Sequence, residues 1–157
     1  MKLVIKHCLA VIFLALTFAS CRDTVTSSIP DFPVYLELNL TTAPYTTFRN
    51  SYLHYFYFIT LNSPHVLPIT NRLGYGGIIV CTGYDGEYYA FDMSCPYEAS
   101  RTVRVYPNDS GQAVCEKCGS VYTLGYGIGD PQSGPAKEML KRYKATLNGY
   151  TLYVTQR

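Results

Sequence analysis

The stretch Val34-Tyr-Leu-Glu-Leu-Asn-Leu40 alternates apolar with mostly polar residues, the period that lays one face of a strand on a core. From Leu73 onward the pattern sharpens. Gly76-Gly-Ile-Ile-Val-Cys81, then Gly83-Tyr-Asp-Gly86, then Glu87-Tyr-Tyr-Ala-Phe-Asp92 predict a β-hairpin turning on Asp85-Gly86. Further short strands are predicted over Thr102–Tyr106, Gln112–Val114, Val121–Leu124, Tyr143–Leu147 and Thr151–Thr155. Tyr52 to Leu61 is a dense aromatic run that fits either a strand or a loop packed over a barrel. The one helical turn predicted, Ala136 to Lys141 after Gly134-Pro135, is short. Many short strands punctuated by Gly, Pro, Asn and Asp predict an all-β sandwich or barrel. The sixteen Tyr and seven Phe agree, since aromatic rings pack well on pleated surfaces.

The first residues carry a different pattern. Lys2 and Lys6 precede the apolar run Leu9 to Leu16, and Phe18-Ala-Ser-Cys21 closes it with small residues before a cysteine. That is an export signal too short to span a bilayer, and it resembles a bacterial lipobox with Cys21 as the lipid-bearing first residue of the mature chain. The expected organisation is a signal peptide over 1–20, a flexible tether over 21–32 and a single β domain over 33–157. Loss of Lys2 and Lys6 leaves eleven Lys and Arg against eleven Asp and Glu, so the mature chain is formally neutral. A neutral surface lacks the basic footprint that nucleic acid requires, and membrane attachment rests on the lipid.

Four cysteines remain for chemistry: Cys81, Cys95, Cys115 and Cys118. On a regular hairpin Cys81 and Cys95 are offset by about six residues, roughly 20 Å, so Cys81 reads as a small buried apolar side chain. Cys95-Pro96-Tyr97 and Cys115-Glu-Lys-Cys118 are two loops that bring thiols to strand ends. The C-x-x-C spacing lets two sulfurs face one ion, as in zinc and iron–sulfur sites, although an exported protein can also oxidise such thiols to a disulfide. A thioredoxin-like use would need a βαβ context, which is missing. No serine elbow, H-E-x-x-H helix or phosphate loop occurs, so catalysis by the chain alone is not expected.

Taken in order, these parts resemble a Rieske ferredoxin domain over roughly half the chain: Gly76-Gly-Ile-Ile-Val, Asp85-Gly86, Tyr89-Ala-Phe-Asp92, Cys95-Pro96, Cys115-x-x-Cys118-Gly119-Ser120-x-Tyr122, Gly134-Pro135-Ala136, Leu140, Tyr143 and a closing strand near Val154. The resemblance implies a double β-sandwich or barrel with a smaller tip subdomain, about 93–124. There two loops hold a two-iron two-sulfur (2Fe-2S) cluster, and the Gly-Pro-Ala segment covers it. The family places one Cys and one His on each loop, as Cys-x-His and Cys-x-x-His. Here Cys95 and Cys115 take the cysteine places, while Tyr97 and Cys118 take the histidine places.

A thiolate at Cys118 is a competent iron ligand that adds negative charge. Without imidazole ligands a high-potential centre is not expected. The ligand set implied is Cys95, Cys115 and Cys118 with Tyr97 or an outside group, for which His54, His65 and Glu98 are candidates. Two alternatives stay open at the same loops: zinc on the three cysteines with one oxygen or nitrogen donor, or a cluster-free interaction module closed by a disulfide. The expected setting is the bacterial envelope, beside an unidentified redox or envelope protein.

Overall fold

A computed structural model describes residues 27–62 and 65–157. The export signal and Cys21 lie outside the described residues. Among the described residues there is no α-helix, only a 3₁₀ turn at Tyr45–Phe48 and strands that form two sheets. The all-β, two-sheet architecture implied by the resemblance is thus present.

The larger sheet contains β1 (Val34–Asn39), β2 (Tyr55–Phe58), β3 (Arg72–Leu73), β4 (Ile78–Thr82), β5 (Tyr88–Asp92), β10 (Arg142–Asn148) and β11 (Thr151–Thr155), in the order β2-β4-β5-β10-β11-β1-β3. The smaller contains β6 (Val105–Asn108), β7 (Gln112–Cys115), β8 (Val121–Thr123) and β9 (Pro131–Ser133), paired in chain order. It therefore runs past 124, to Ser133. The aromatic run left open above supplies β2, paired to β4 from Tyr55↔Cys81 to Phe58↔Ile78.

Alternation along β1 points Val34, Leu36 and Leu38 inward, opposite Leu152 and Val154 of β11. Strand β10 turns the corner of the larger sheet. Its first residues, Arg142 and Tyr143, pair with β5, while Lys144 to Asn148 pair with β11. The sheet thereby curls around a first core of Leu36, Leu38, Phe48, Phe58, Ile78, Val80 and Leu152, each nearly or fully buried.

Strand β4 breaks the alternation, because all of its residues are buried. Ile78 and Val80 face the first core, whereas Ile79 and Cys81 face a second, with Phe91 and Met93 from the β5 side. The continuous apolar run Ile-Ile-Val-Cys is what a strand buried on both faces requires. The second core is completed by Val105, Ala113, Cys115, Tyr122 and Leu124 of the small-sheet region, with Ala136 and Leu140. Cys81 pairs with Tyr89 across the hairpin, in the buried position expected for it.

Asp92, at the end of β5, is a fully buried carboxylate. It accepts hydrogen bonds from the amides of Tyr75 (2.9 Å), Gly76 (3.1 Å) and Ser94 (2.7 Å) and from the Tyr143 hydroxyl (2.6 Å). Four donors offset the cost of burying the charge. Burial, and then the Asp92 carboxylate, push the Tyr143 phenol far up, so it stays a donor. Gly76 is required by space, since a Cβ there would stand 2.1 Å from Ser94 Oγ.

Two expectations are corrected. Ala136 to Lys141 forms no helical turn: the Ala136 amide donates to Ser120 Oγ (3.1 Å) and the Leu140 amide to the Gly129 carbonyl (2.8 Å). Ala136 and Leu140 both enter the second core, so their helix-like spacing serves a tertiary contact in an irregular segment. The tether read over 21–32 does not hold for residues 27 to 32, which are docked on the domain. Ile29 is buried, the Ser28 amide donates to Glu138 (2.9 Å), and Lys141 binds both the Ile29 carbonyl (2.9 Å) and Asp31 (2.6 Å). A lone apolar residue in a polar stretch leaves no periodicity to read.

Tyr143→Phe removes one donor from the buried carboxylate. It is expected to cost about 1–3 kcal/mol of unfolding free energy, seen as a lower urea midpoint at unchanged slope. An unchanged midpoint would show that Asp92 does not depend on this hydroxyl.

Candidate metal centre

The backbone passes from the larger sheet to the smaller through Met93 to Cys95. The Met93 amide donates to the Gly77 carbonyl (3.0 Å), the Val105 amide to Met93 (2.7 Å) and the Cys95 amide to Val103 (3.0 Å). Cys95 therefore stands where the second core meets the first loop. Its carbonyl accepts the amides of Glu98 (3.2 Å) and Ala99 (2.9 Å), closing a tight turn. In the second loop β7 ends on Cys115, whose carbonyl accepts the Gly119 amide (2.9 Å) and whose amide donates to Ser120 (2.9 Å). Gly119 sits at φ +71°, the left-handed conformation glycine adopts without strain. This knuckle folds Cys118 back toward Cys115.

The two loops bring the sulfurs of Cys95, Cys115 and Cys118 within 4.8 Å of one another. Cys95 Sγ and Cys118 Sγ are 3.6 Å apart. Cys95 and Cys115 are fully buried and Cys118 is half-buried, so the group opens to solvent on the Cys118 side. Two hydroxyls touch it: Tyr122 Oη lies 3.5 Å from Cys95 Sγ, and Ser120 Oγ lies 3.1 Å from Cys118 Sγ. Because Ser120 Oγ already accepts the Ala136 amide, its own proton is free for a thiolate at Cys118. The Gly134 turn packs flush on this serine; a Cβ there would lie 2.5 Å from Ser120 Cα.

The thiols differ in acidity. Burial pushes Cys115 up to about 11. At Cys118 burial also acts upward, but hydrogen bonds with the Ser120 hydroxyl and amide and with the other two cysteines outweigh it, leaving the thiol below its ordinary value. Burial and the Cys95 contact raise Tyr122, which keeps its proton to donate.

Of the other candidates, Tyr97 is 57% exposed, and the phenol against the thiols is that of Tyr122. His54 packs on Phe48 and Phe56 with its Nε2 3.0 Å from Thr47 Oγ1, and His65 packs on Tyr45, Phe56 and Phe58. The proposed reach of either histidine across the tip does not occur, because both are held by the aromatic side of the larger sheet. Glu98 pairs with Lys117 at 2.5 Å, so it ties the first loop to the second. Cys81 stays outside the group, and burial drives its thiol up to about 12. Ser120 and Tyr122 join the group beyond the candidates that the sequence offers. Their signal was present as alternate positions in Cys118-Gly-Ser-x-Tyr122, which share one face of an extended segment.

Sulfur spacing limits what the group can hold. A tetrahedral ion with metal–sulfur bonds of about 2.3 Å has sulfur–sulfur edges of about 3.8 Å. The Cys95–Cys118 separation of 3.6 Å is close to such an edge. A two-iron cluster takes donors on both irons, and donors on different irons stand more than about 5 Å apart. The present distances do not describe the family's division of ligands over two irons. The same pair exceeds the disulfide bond length of about 2.05 Å, and all four described cysteines are free.

No family model and no curated protein matches the chain. Among solved structures, a chain from the complex of reduced oxygenase and oxidized ferredoxin in carbazole 1,9a-dioxygenase is similar at 14% identity and a TM-score of 0.48, covering 78% of this chain and 93% of that one. A Sphingomonas yanoikuyae B1 ferredoxin gives 18% identity and 0.39, covering 52% and 76%. The ferredoxin of carbazole 1,9a-dioxygenase from Nocardioides aromaticivorans IC177 gives 17% and 0.38, covering 52% and 77%. At these values the likeness assigns no ligand and no partner to this chain.

In metal-free reduced protein, iodoacetamide is expected to label Cys118 first, since it combines exposure with a lowered thiol pKa. Cys115 should follow slowly and Cys81 only on unfolding, as peptide mass mapping over time would record. Equal rates at all three would contradict this account of the thiols.

Proposed function

We propose that this chain is a lipid-anchored envelope protein whose Rieske-like domain holds a metal centre on Cys95, Cys115 and Cys118. The observation that carries the reading is the convergence of three thiols from two separate loops within 4.8 Å, two of them fully buried. Buried sulfurs at this spacing are a soft-metal donor set, with Ser120 and Tyr122 as hydroxyl partners of the kind that orient and tune such ligands. With iron the centre carries electrons. Thiolate in place of imidazole then gives it a low potential, suited to donating to a redox partner.

The anchor follows from the basic, apolar and small-residue pattern that ends on Cys21. Between Cys21 and the docked Ser27 the chain reaches at most about 20 Å. Ser28 Oγ donates to the Pro96 carbonyl (3.0 Å), beside Cys95, so lipid on Cys21 keeps the thiol loops close to the membrane surface. A partner at that surface is the natural recipient of the centre's chemistry.

A second reading has its own observation. Cys95 and Cys118 are close enough that a small rotation joins them in an oxidising compartment, which makes the domain a disulfide-closed interaction module. Intact mass with and without reductant separates the two readings, because the disulfide form lacks two hydrogens.

The metal-centre reading is tested by elemental analysis of full chain purified anaerobically. Metal is expected in the parent and lost in Cys115→Ser at unchanged circular dichroism; a metal-free parent that resists reconstitution would rule it out. For the anchor, Cys21→Ser should move the protein from the membrane fraction to the soluble fraction. Unchanged membrane association would refute lipidation there.

A further inference from the structure

We infer that the three thiols take up one divalent thiophilic ion, of which zinc is the simplest, in a four-coordinate site with an exchangeable fourth position. This deepens the metal-centre reading and rests on it. Cys95 and Cys118 stand 3.6 Å apart, and Cys115 lies within 4.8 Å of both. These are separations near those of one coordination sphere: around a metal with bonds of about 2.3 Å, Cys95 and Cys118 part by about 0.2 Å and Cys115 closes by at most about 1 Å. A two-iron cluster would need Cys118 to withdraw from Cys95 by more than about 1.4 Å to reach a second iron.

The loops are built against that withdrawal. Behind Cys118, Ser120 is fully buried and its Oγ is held by the Ala136 amide at 3.1 Å. The Gly134 turn lies on the same serine without room for a methyl group. In front, the pair of Glu98 and largely exposed Lys117 links the first loop to the second at 2.5 Å. Separating the loops to admit two irons and two sulfides would break this pair or displace the covering loop.

Among the described residues, no fourth His, Cys, Asp or Glu joins the group. The open side is that of half-buried Cys118, which leaves the remaining vertex to a ligand from solvent. Three-ligand sites completed by water exchange that ligand, whereas closed four-ligand sites do not. On binding, three S–H bonds and the ion's bonds to displaced waters break as three metal–sulfur bonds form; the protons and waters pass to solvent, and nothing is oxidised or reduced. The centre then carries one net negative charge, with the Lys117 ammonium in the same knuckle.

The test is titration of the full chain, reduced and metal-free, with cobalt(II) under anaerobic conditions. Saturation at one equivalent is expected, with intense sulfur-to-cobalt charge-transfer absorption and visible bands of a tetrahedral site; zinc should displace the cobalt one for one. Cys118→Ser, conservative and half-exposed, should weaken binding about tenfold or more and reduce the charge-transfer intensity at unchanged circular dichroism. Addition of a small thiol or azide should perturb the visible bands if the fourth position exchanges; unperturbed bands would overturn that part. Two irons and two sulfides per chain after anaerobic reconstitution, with no saturation by cobalt at one equivalent, would overturn single-ion binding while the metal-centre reading stands. Absence of any bound cobalt, zinc or iron in the parent would remove both.

Discussion

Burial of both faces of the β4–β5 hairpin is the constraint on which the molecule depends. Ile78 and Val80 close the core of the curled sheet, while Ile79, Cys81 and Phe91 form the floor of the second core, on which the small sheet rests. The small sheet buries its apolar side, with Val105, Ala113, Cys115 and Tyr122, on this floor. The thiol-bearing loops are therefore only as well placed as this shared wall.

The end of the hairpin converts that packing into position. Asp92 collects the amides of Tyr75, Gly76 and Ser94 and the hydroxyl of Tyr143, thereby joining the approach to β4, the exit of β5 and the corner strand β10. Three residues later comes Cys95. A buried charge with all its donors supplied is strongly directional, because any displacement leaves it unpaired in a low-dielectric interior. The first thiol is thus set by electrostatics anchored in the larger sheet, and the second and third by the short knuckle after β7.

The environment around the sulfurs is graded from inside to outside. Cys115 is buried and hard to ionise, Cys118 is half-buried and more acidic, and Ser120 and Tyr122 present hydroxyls to the sulfurs. A cation reverses the penalty at Cys115, since a coordinated thiol is deprotonated outright. The same burial that suppresses the free thiolate then shields the bound one from solvent and oxidant. Contact of Ser28 with Pro96 adds the N-terminal segment to the outer wall of the first loop.

Much of this was legible in the chain itself. Alternation over Val34–Leu40, the Asp85-Gly86 turn and the strand pair Tyr143–Leu147 and Thr151–Thr155 are local patterns, and local patterns determine strand and turn directly. That Cys95 and the Cys115-x-x-Cys118 pair sit on two loops was legible too, because loop spacing is a property of sequence. What the pattern could not determine was anything fixed by distant partners. The aromatic run became a strand only because β4 offers it an edge. The segment 136–141 lost its helical turn to hydrogen bonds with Ser120 and Gly129, and residues 27–32 docked through Glu138 and Lys141. Likewise, which phenol meets the thiols, Tyr122 and not Tyr97, and how far apart the sulfurs stand, were decided by packing between loops that are distant in sequence. Sequence sets which donors arrive at a site; only the tertiary fold sets the distances between them, and for a metal those distances choose the ion.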